Sequence, residues 1–335
     1  MVDSATSTQD PRQPGTGTPP FTRRAALLGY AACALAGTLW GTGFFFGRIA
    51  LDEMNVEYMV LYRFFFACLG MIPVALAHRV RLTGSEWRIL LISAFFGVPV
   101  QFLIQFHGLA LTTVSHAALM VGSMPVLLGV AATLFAGERL DLIGWLALVA
   151  STAGVALIVL GGHHGSMQQG GPTLEGDLLV ILSLCLALAW VLLNKKLMLV
   201  HNPAVVSAYT VLCGTGMLIL WVLGPWMLNP FTARKSPAPP LAHISMTAWV
   251  ALAIGGLACT AATTLLWNWG IHRVPASRAG VFLNIEPALG SILGVELLGD
   301  HLGPAAWLGG ALILTAAIIL TTTGKIDANA EMLLE

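Results

Sequence analysis

Residues 87–145 read WRILLISAFFGVPVQFLIQFHGLALTTVSHAALMVGSMPVLLGVAATLFAGERLDLIGW, and residues 249–307 read WVALAIGGLACTAATTLLWNWGIHRVPASRAGVFLNIEPALGSILGVELLGDHLGPAAW. Laid over one another at a step of 162, the two stretches need no gap. Trp87 falls on Trp249, Gly108 on Gly270, Ser115 on Ser277, Ala117 on Ala279, Pro125 on Pro287, Gly137 on Gly299 and Trp145 on Trp307. With only 10 Trp in the chain, two Trp coincidences at one step mark an internal duplication. Trp40 and Trp190 stand in similar places further upstream, at a different step.

What is duplicated is apolar. Of 335 residues, 57% are hydrophobic and only 10% are charged, where a soluble domain carries about 25% charged residues. Mean hydropathy is +0.82. A soluble surface cannot be built from so few charges, and a formal net charge of zero leaves no nucleic-acid footprint. Cys33, Cys68, Cys185, Cys213 and Cys259 all lie in apolar runs without CxxC or Cys/His spacing, so neither disulfides nor a metal site is expected. No cofactor is expected either.

A helix needs about 20 apolar residues to cross the hydrocarbon core. Runs bounded by charges, Pro or Gly clusters predict spans near 25–47, 56–77, 87–108, 115–135, 141–161, 176–194, 204–228, 247–269, 277–298 and 304–323. Their length and lack of period-2 alternation exclude a β-barrel. The fold class expected is therefore all-α integral membrane, with ten transmembrane helices. Thr22-Arg23-Arg24 with Ala34-Leu35-Ala36 imitates a cleaved signal, but the apolar run continues through Phe46 and is read as a full span.

Lys and Arg set the orientation. With a cytoplasmic N-terminus, the inside receives Arg12, Arg23, Arg24, Arg79, Arg81, Arg88, Arg139, Lys195, Lys196, Arg273, Arg278 and Lys325. The outside receives only Arg48, Arg234 and Lys235, and Arg63 falls within a span, where snorkelling to the interface is expected. Both termini come out cytoplasmic, in a bacterial inner membrane. Each half holds five spans, an odd number, so the halves must be inverted repeats, a recurring transporter plan with the substrate site between them. The divisions expected are a disordered tail over 1–24, a first repeat over 25–162, a periplasmic loop over 163–175, a second repeat over 176–324 and a tail over 325–335.

At this point the chain resembles the drug/metabolite transporter superfamily, specifically its EamA family of ten-helix carriers. The resemblance rests on Leu39-Trp40-Gly41-Thr42, on Tyr62-Arg63-Phe64, and on a Pro followed by a terminal Gly-acid in each half. Those last are Pro125 with Gly137-Glu138-Arg139-Leu140, and Glu286-Pro287 with Gly299-Asp300-His301-Leu302. Asp300 stands where the family usually has Glu. The resemblance implies a cavity lined by the first four helices of each half, the fifth and tenth being peripheral, and small organic substrates, commonly exported amino acids, metabolites or drugs.

Polar groups inside the membrane are costly and mark candidate sites. Glu286 is the one carboxylate near a predicted midplane. It is read as a substrate contact and as the proton-coupling group, against a structural carboxyl paired with a neighbour such as Arg63. Gln101 and Gln105 share a helix face, and the duplication sets Thr263 and Trp267 opposite them. Against substrate binding stands ordinary interhelical hydrogen bonding, the favoured reading for Thr263. Trp40, Trp190, Trp267 and Trp269 are candidate aromatic walls, and Trp87, Trp226 and Trp249 interfacial anchors. Asn284 lies about 200° round a helix from Glu286, so both face one cavity only if Pro287 distorts the backbone. His107 and His116 are expected in contact with water. Gly144, Gly154, Gly309 and Gly310 on the fifth and tenth spans suit close helix contact and a possible homodimer.

These features point to a secondary transporter moving small organic molecules, with efflux the favoured direction, by alternating access. No GxxxxGK[ST] loop is present to drive it with ATP. An intramembrane transferase-type enzyme would need grouped acids, His or metal ligands at the membrane edge, which are not found. A scaffold or sensor would need no duplication. Partners expected are the substrate and the lipid bilayer, with no nucleic acid.

Overall fold

The computed structural model describes residues 23–78, 80–124, 126–127, 142–161, 171–228, 244–271, 273 and 280–323. These are helices, with no strand among the described residues. The first rod is α1 (Arg23–Gly41) and α2 (Gly43–Leu51), nearly continuous through Thr42. Next come α3 (Val56–Ala77), α4 (Gly84–Phe95), α5 (Gln101–Leu111), α6 (Val114–Val121) and α7 (Leu142–Gly161). The second half of the chain gives α8 (Leu174–Met198), α9 (Pro203–Leu228), α10 (Met246–Ala253), α11 (Thr263–Ile271), α12 (Ile285–Leu298) and α13 (Pro304–Thr323). Seven of the rods are long and apolar enough to cross a membrane, and Pro304–Ile319 adds a shorter apolar stretch. The first 22 residues, and the sequence duplicates Pro125, Gly137, Ser277 and Ala279, lie outside the described residues.

Local chemistry sets the helix starts. Asn55, Thr83, Thr113 and Ser245 are extended N-caps whose side chains accept the N–H three residues on, satisfying a donor the helix leaves unpaired. Thr83 and Ser245 are 162 residues apart, so the duplicated rods open on matched caps. The same step relates two wide turns. α4 and α5 join through π-helical Phe96–Val100, and α10 and α11 through π-helical Ile254–Ala262. Both π segments end at matched positions, directly before Gln101 and Thr263. Such insertions bend a helix and recur at functional sites.

Packing pairs the rods across the chain. α7 lies along α13, α5 along α8, and α11 along α1. α3 packs on α9 and on the π segment of the eighth rod, and α6 packs on α12. Matched glycines make the closest approaches. A Cβ on Gly108 would lie 2.8 Å from Gly176 O and 2.9 Å from Val180 N; one on Gly270 would lie 2.6 Å from Cys33 Sγ and 3.0 Å from Gly29 O. α5 and α8 thus touch as α11 and α1 do, backbone against backbone.

Gly154 and Gly309 are likewise spent inside the chain. A Cβ on Gly154 would lie 2.7 Å from Ile313 Cγ1, and one on Gly309 2.9 Å from Ile158 Cγ1. Positions that rise along α7 fall along α13, so the two helices run antiparallel. A homodimer would have to use the outer faces instead, where Trp145, Leu146, Val149, Trp307 and Leu308 are exposed.

Candidate functional site

Arg63 is the residue the sequence misread. It is only 6% exposed and does not snorkel. Its guanidinium points from α3 into the bundle: Nη1 donates to Gly43 O at 3.3 Å, and Nε and Nη2 share Thr260 Oγ1 at 3.4 and 3.3 Å. The charge also lies over the rings of Phe106 and Phe102, at 5.2 and 5.7 Å from their centroids. Cation–π contact offsets part of the lost hydration. Gly43 and Gly255 border the group, a Cβ at either falling 3.5–3.8 Å from the Arg63 side chain, in ordinary contact. All its hydrogen bonds are long, and no anion lies within ion-pair distance among the described residues.

Glu286 is within electrostatic reach of Arg63 without forming an ion pair with it. It sits half-buried in the first turn of α12. Its backbone meets α1 where Gly41 permits: a Cβ there would lie 3.0 Å from Glu286 O. Gly37, four residues earlier, meets Phe282 O in the same way. Between Asn284 and Glu286 the chain passes from a 3-10 turn, Gly280–Asn284, into α12, with Pro287 in its first turn. Pro287 stands third in α12, where its missing N–H breaks no helical hydrogen bond. Asn284 is buried.

Beside this charged pair, Trp40 and Trp267 meet with centroids 5.5 Å apart, joining α1 to α11. Thr42 Oγ1 and Cys259 Sγ are 3.2 Å apart, joining the first rod to the eighth next to Gly43 and Thr260. Thr263 is fully buried, and its hydroxyl donates to Ala258 O within its own rod at 2.6 Å. Its donor is therefore spent. Trp269 turns outward, 41% exposed, with the Arg273 guanidinium 3.8 Å over its ring, and forms no inner wall.

A second group gathers on α5 and α8. Gln101 and Gln105 are both buried, one turn apart, and Gln101 Oε1 has no hydrogen-bond partner. Trp190 lies flat on Gly97, where a Cβ would meet its ring at 2.4 Å, and its buried Nε1 is also unpartnered. An acceptor and a donor left unsatisfied on adjoining helices are suited to a polar ligand. No hydrogen bond joins Gln101, Gln105 or Trp190 to Glu286. The link is α5 itself, where Phe102 and Phe106 reach Arg63 from positions next to the two Gln.

Two buried clusters gave no local signal in the sequence. Asn194 Oδ1 accepts from Ser93 Oγ at 2.7 Å and Thr210 Oγ1 at 3.2 Å, tying α8 to α4 and α9. His116, expected at water, is 1% exposed; its Nδ1 lies 3.5 Å from Asp177 Oδ2, and Thr112 donates to Asp177 Oδ1. His107 is half-exposed beside Glu57 at 3.3 Å. Asp300 Oδ2 accepts from Ser115 N and Oγ at 2.8 and 2.9 Å. The left-handed turn at Gly299, φ 70°, swings it onto the start of α6. That accounts for Gly299-Asp300: the Gly makes the turn and the acid caps the neighbouring helix. Among the described residues, no group of three or more His, Cys, Asp or Glu is placed to hold a metal ion.

Apolar rods wrapped around buried polar and ionisable groups define a multi-pass helical membrane protein. The sequence model of the EamA-like transporter family matches residues 27–160 and 174–322, and the chain belongs to that family. A protein of Archaeoglobus fulgidus named an uncharacterized transporter is 26% identical over 297 residues, covering 87% of this chain and 96% of its own. The inner membrane protein YtfF of Escherichia coli is 22% identical over 313 residues, covering 89% and 96%. One solved crystal structure of a protein superposes with a TM-score of 0.59 at 18% identity, covering 88% of this chain and 96% of that one.

Proposed function

We propose that the protein is a secondary carrier of small organic molecules (amino acids, metabolites or drugs), moving them out of the cell by alternating access. The observation that carries this reading is Arg63, buried beneath the Phe102 and Phe106 rings with no ion-pair partner among the described residues, and the half-buried Glu286 within its electrostatic reach, where rods of both chain halves meet. Intramembrane charges are costly, and where they persist they commonly line a substrate or ion path. Glu286, Arg63, Asn284, Gln101, Gln105, Trp40, Trp190 and Trp267 contact the substrate in this reading. Glu286 also carries the coupling proton, and Thr263 is structural.

The architecture proposed is ten spans in two inverted five-span halves, with both termini cytoplasmic and the inner membrane as the site. Three facts support it. Exchanging the first five rods for the second five maps the main packing pairs onto themselves: α5 on α8 becomes α11 on α1, α3 on the eighth rod becomes α9 on the third, and α7 on α13 is unchanged. Gly108 and Gly270 do one job in the two halves, and the two π segments end at matched positions. The Lys and Arg bias gives the direction.

The test is flux in proteoliposomes offered a mixed pool of amino acids and cationic dyes, with and without an imposed pH gradient. Flux that follows the gradient and disappears in Glu286→Gln is expected. Gradient-independent flux that survives in Glu286→Gln refutes the coupling role, and no flux of any compound refutes the carrier.

A further inference from the structure

The matched caps of the duplicated rods are completed by unlike means. At Thr83, the acid comes from the same helix: Glu86 Oε2 accepts from Thr83 N at 2.7 Å and Thr83 Oγ1 at 2.8 Å. At Ser245, the position matching Glu86 is Ala248, which has no carboxylate. Glu53, in the link between α2 and α3, fills the role from the other half of the chain. Its Oε2 accepts from Ser245 N at 2.6 Å and its Oε1 from Ser245 Oγ. Glu86 in turn uses its second oxygen across the halves, Oε1 lying 2.9 Å from His201 Nε2 in the link between α8 and α9.

The result is a matched pair of ties. Each joins the start of the third rod of one half to the first link of the other half. On the ten-span reading, the starts of the third and eighth rods lie on opposite faces of the membrane, so the ties do too. Both are wet: the His201 and Glu86 side chains are 15% and 20% exposed, and Glu53 and Ser245 bond at the surface. Polar contacts beside water break and re-form at small cost because water replaces each lost partner. The buried Arg63 and Asp177 clusters lack that freedom. Glu53 is well formed for the task, its carboxyl held below the usual range by the Ser245 hydroxyl and backbone N–H.

We propose that Glu53–Ser245 and Glu86–His201 are opposed clasps, each fastening the two halves at one membrane face, and that transport requires them to open in turn. This inference rests on the alternating-access reading but is tested apart from flux. Cys259 is the natural reporter. It is 1% exposed and touches Thr42 at the central site, so an aqueous thiol reagent reaches it only when one face opens. The full-length protein in right-side-out and inside-out vesicles is treated with a membrane-impermeant methanethiosulfonate, and modification of the Cys259 peptide is measured by mass spectrometry. Cys259→Ala supplies the blank.

Glu53→Gln and Ser245→Ala are expected to raise labelling from the outer face relative to the inner by roughly tenfold, since hydrogen bonds to a charged group bias a two-state ratio on that scale. Glu86→Gln and His201→Gln are expected to shift the ratio as far the other way. Glu53→Gln combined with His201→Gln is expected to bring it back near wild type. That compensation separates a clasp from damage, because two destabilising changes would add rather than cancel. Shifts toward one and the same face, a ratio unmoved in every variant, or a double variant worse than both singles would overturn the clasps. Flux with no asymmetry in labelling refutes the clasps and leaves the carrier; asymmetry without flux of any compound refutes the carrier alone.

Discussion

Gly108→Ala and Gly270→Ala test the duplication in physical terms. A Cβ at Gly108 would meet Gly176 O at 2.8 Å and Val180 Cγ2 and N at 2.9 Å; at Gly270 it would meet Cys33 Sγ at 2.6 Å and Gly29 O at 3.0 Å. Comfortable carbon contacts begin near 3.5 Å, so each helix pair must part by roughly half an ångström or more. Two of the three neighbours of Gly108 are backbone atoms, which have no rotamer to escape into. Overpacking of this kind costs about 1–3 kcal/mol. At roughly 2–4 °C per kcal/mol, the figure for domains of 150–250 residues, each variant should melt about 2–12 °C lower in detergent. The sites share no partner, so the double variant should lose close to the sum. Gly216→Ala is the control: it lies in α9 with nothing within 4 Å, and Ala there should be neutral or stabilise by up to about 1 kcal/mol. Thermal melting of the four variants beside wild type, by intrinsic Trp fluorescence, decides the matter. A wild-type midpoint for either Gly108→Ala or Gly270→Ala would refute the claim that the pair makes equivalent close contacts.

Gln101→Leu should stabilise the protein by about 1–3 kcal/mol, since it removes a buried acceptor without a partner, and should weaken substrate binding. A parallel melt and flux measurement would expose any variant that loses stability instead. Asp177→Ala should cost about 1–3 kcal/mol by leaving the buried Thr112 hydroxyl without its acceptor, read as a lower melting point. Glu53 titrates at the surface with its carboxyl held below the usual range by Ser245. Its contribution to stability is therefore present above its unfolded value, about 4.3, and lost as pH falls through its lower folded value. Melts of wild type and Glu53→Gln should converge on acidification and differ near neutrality; parallel curves would remove the Ser245 tie.

The helical membrane class and the family were legible because they are written in local terms: long apolar runs, rare charges, and Trp and Gly repeated at one step. Arg63 was not legible. It stands two turns inside α3, a depth from which a long side chain can reach either the interface or the core. Its direction is decided by Thr260, Phe102 and Phe106, residues that hydropathy cannot bring together. His116 failed for the same reason: proximity to a turn suggested water, but Asp177 of α8 lies over it. Thr263 was matched to Gln101 by the duplication, yet a π turn let its hydroxyl close on Ala258. Helical geometry says which face a residue occupies, not which donors the backbone has already consumed.

The contact between α7 and α13 has one more property. Gly154 takes Ile313 of α13 and Gly309 takes Ile158 of α7, so each helix gives a glycine to the other's isoleucine. Such give-and-take resembles the interface two subunits form about a twofold axis, although at the step of 162 Gly154 stands on Ala316 and Gly309 on Ala147. Here both partners belong to one polypeptide. An ancestor of half the length could have assembled through this face, with covalent linkage coming later. The two halves, expressed as separate polypeptides divided between Gly161 and Thr173, should still find each other through the same surface.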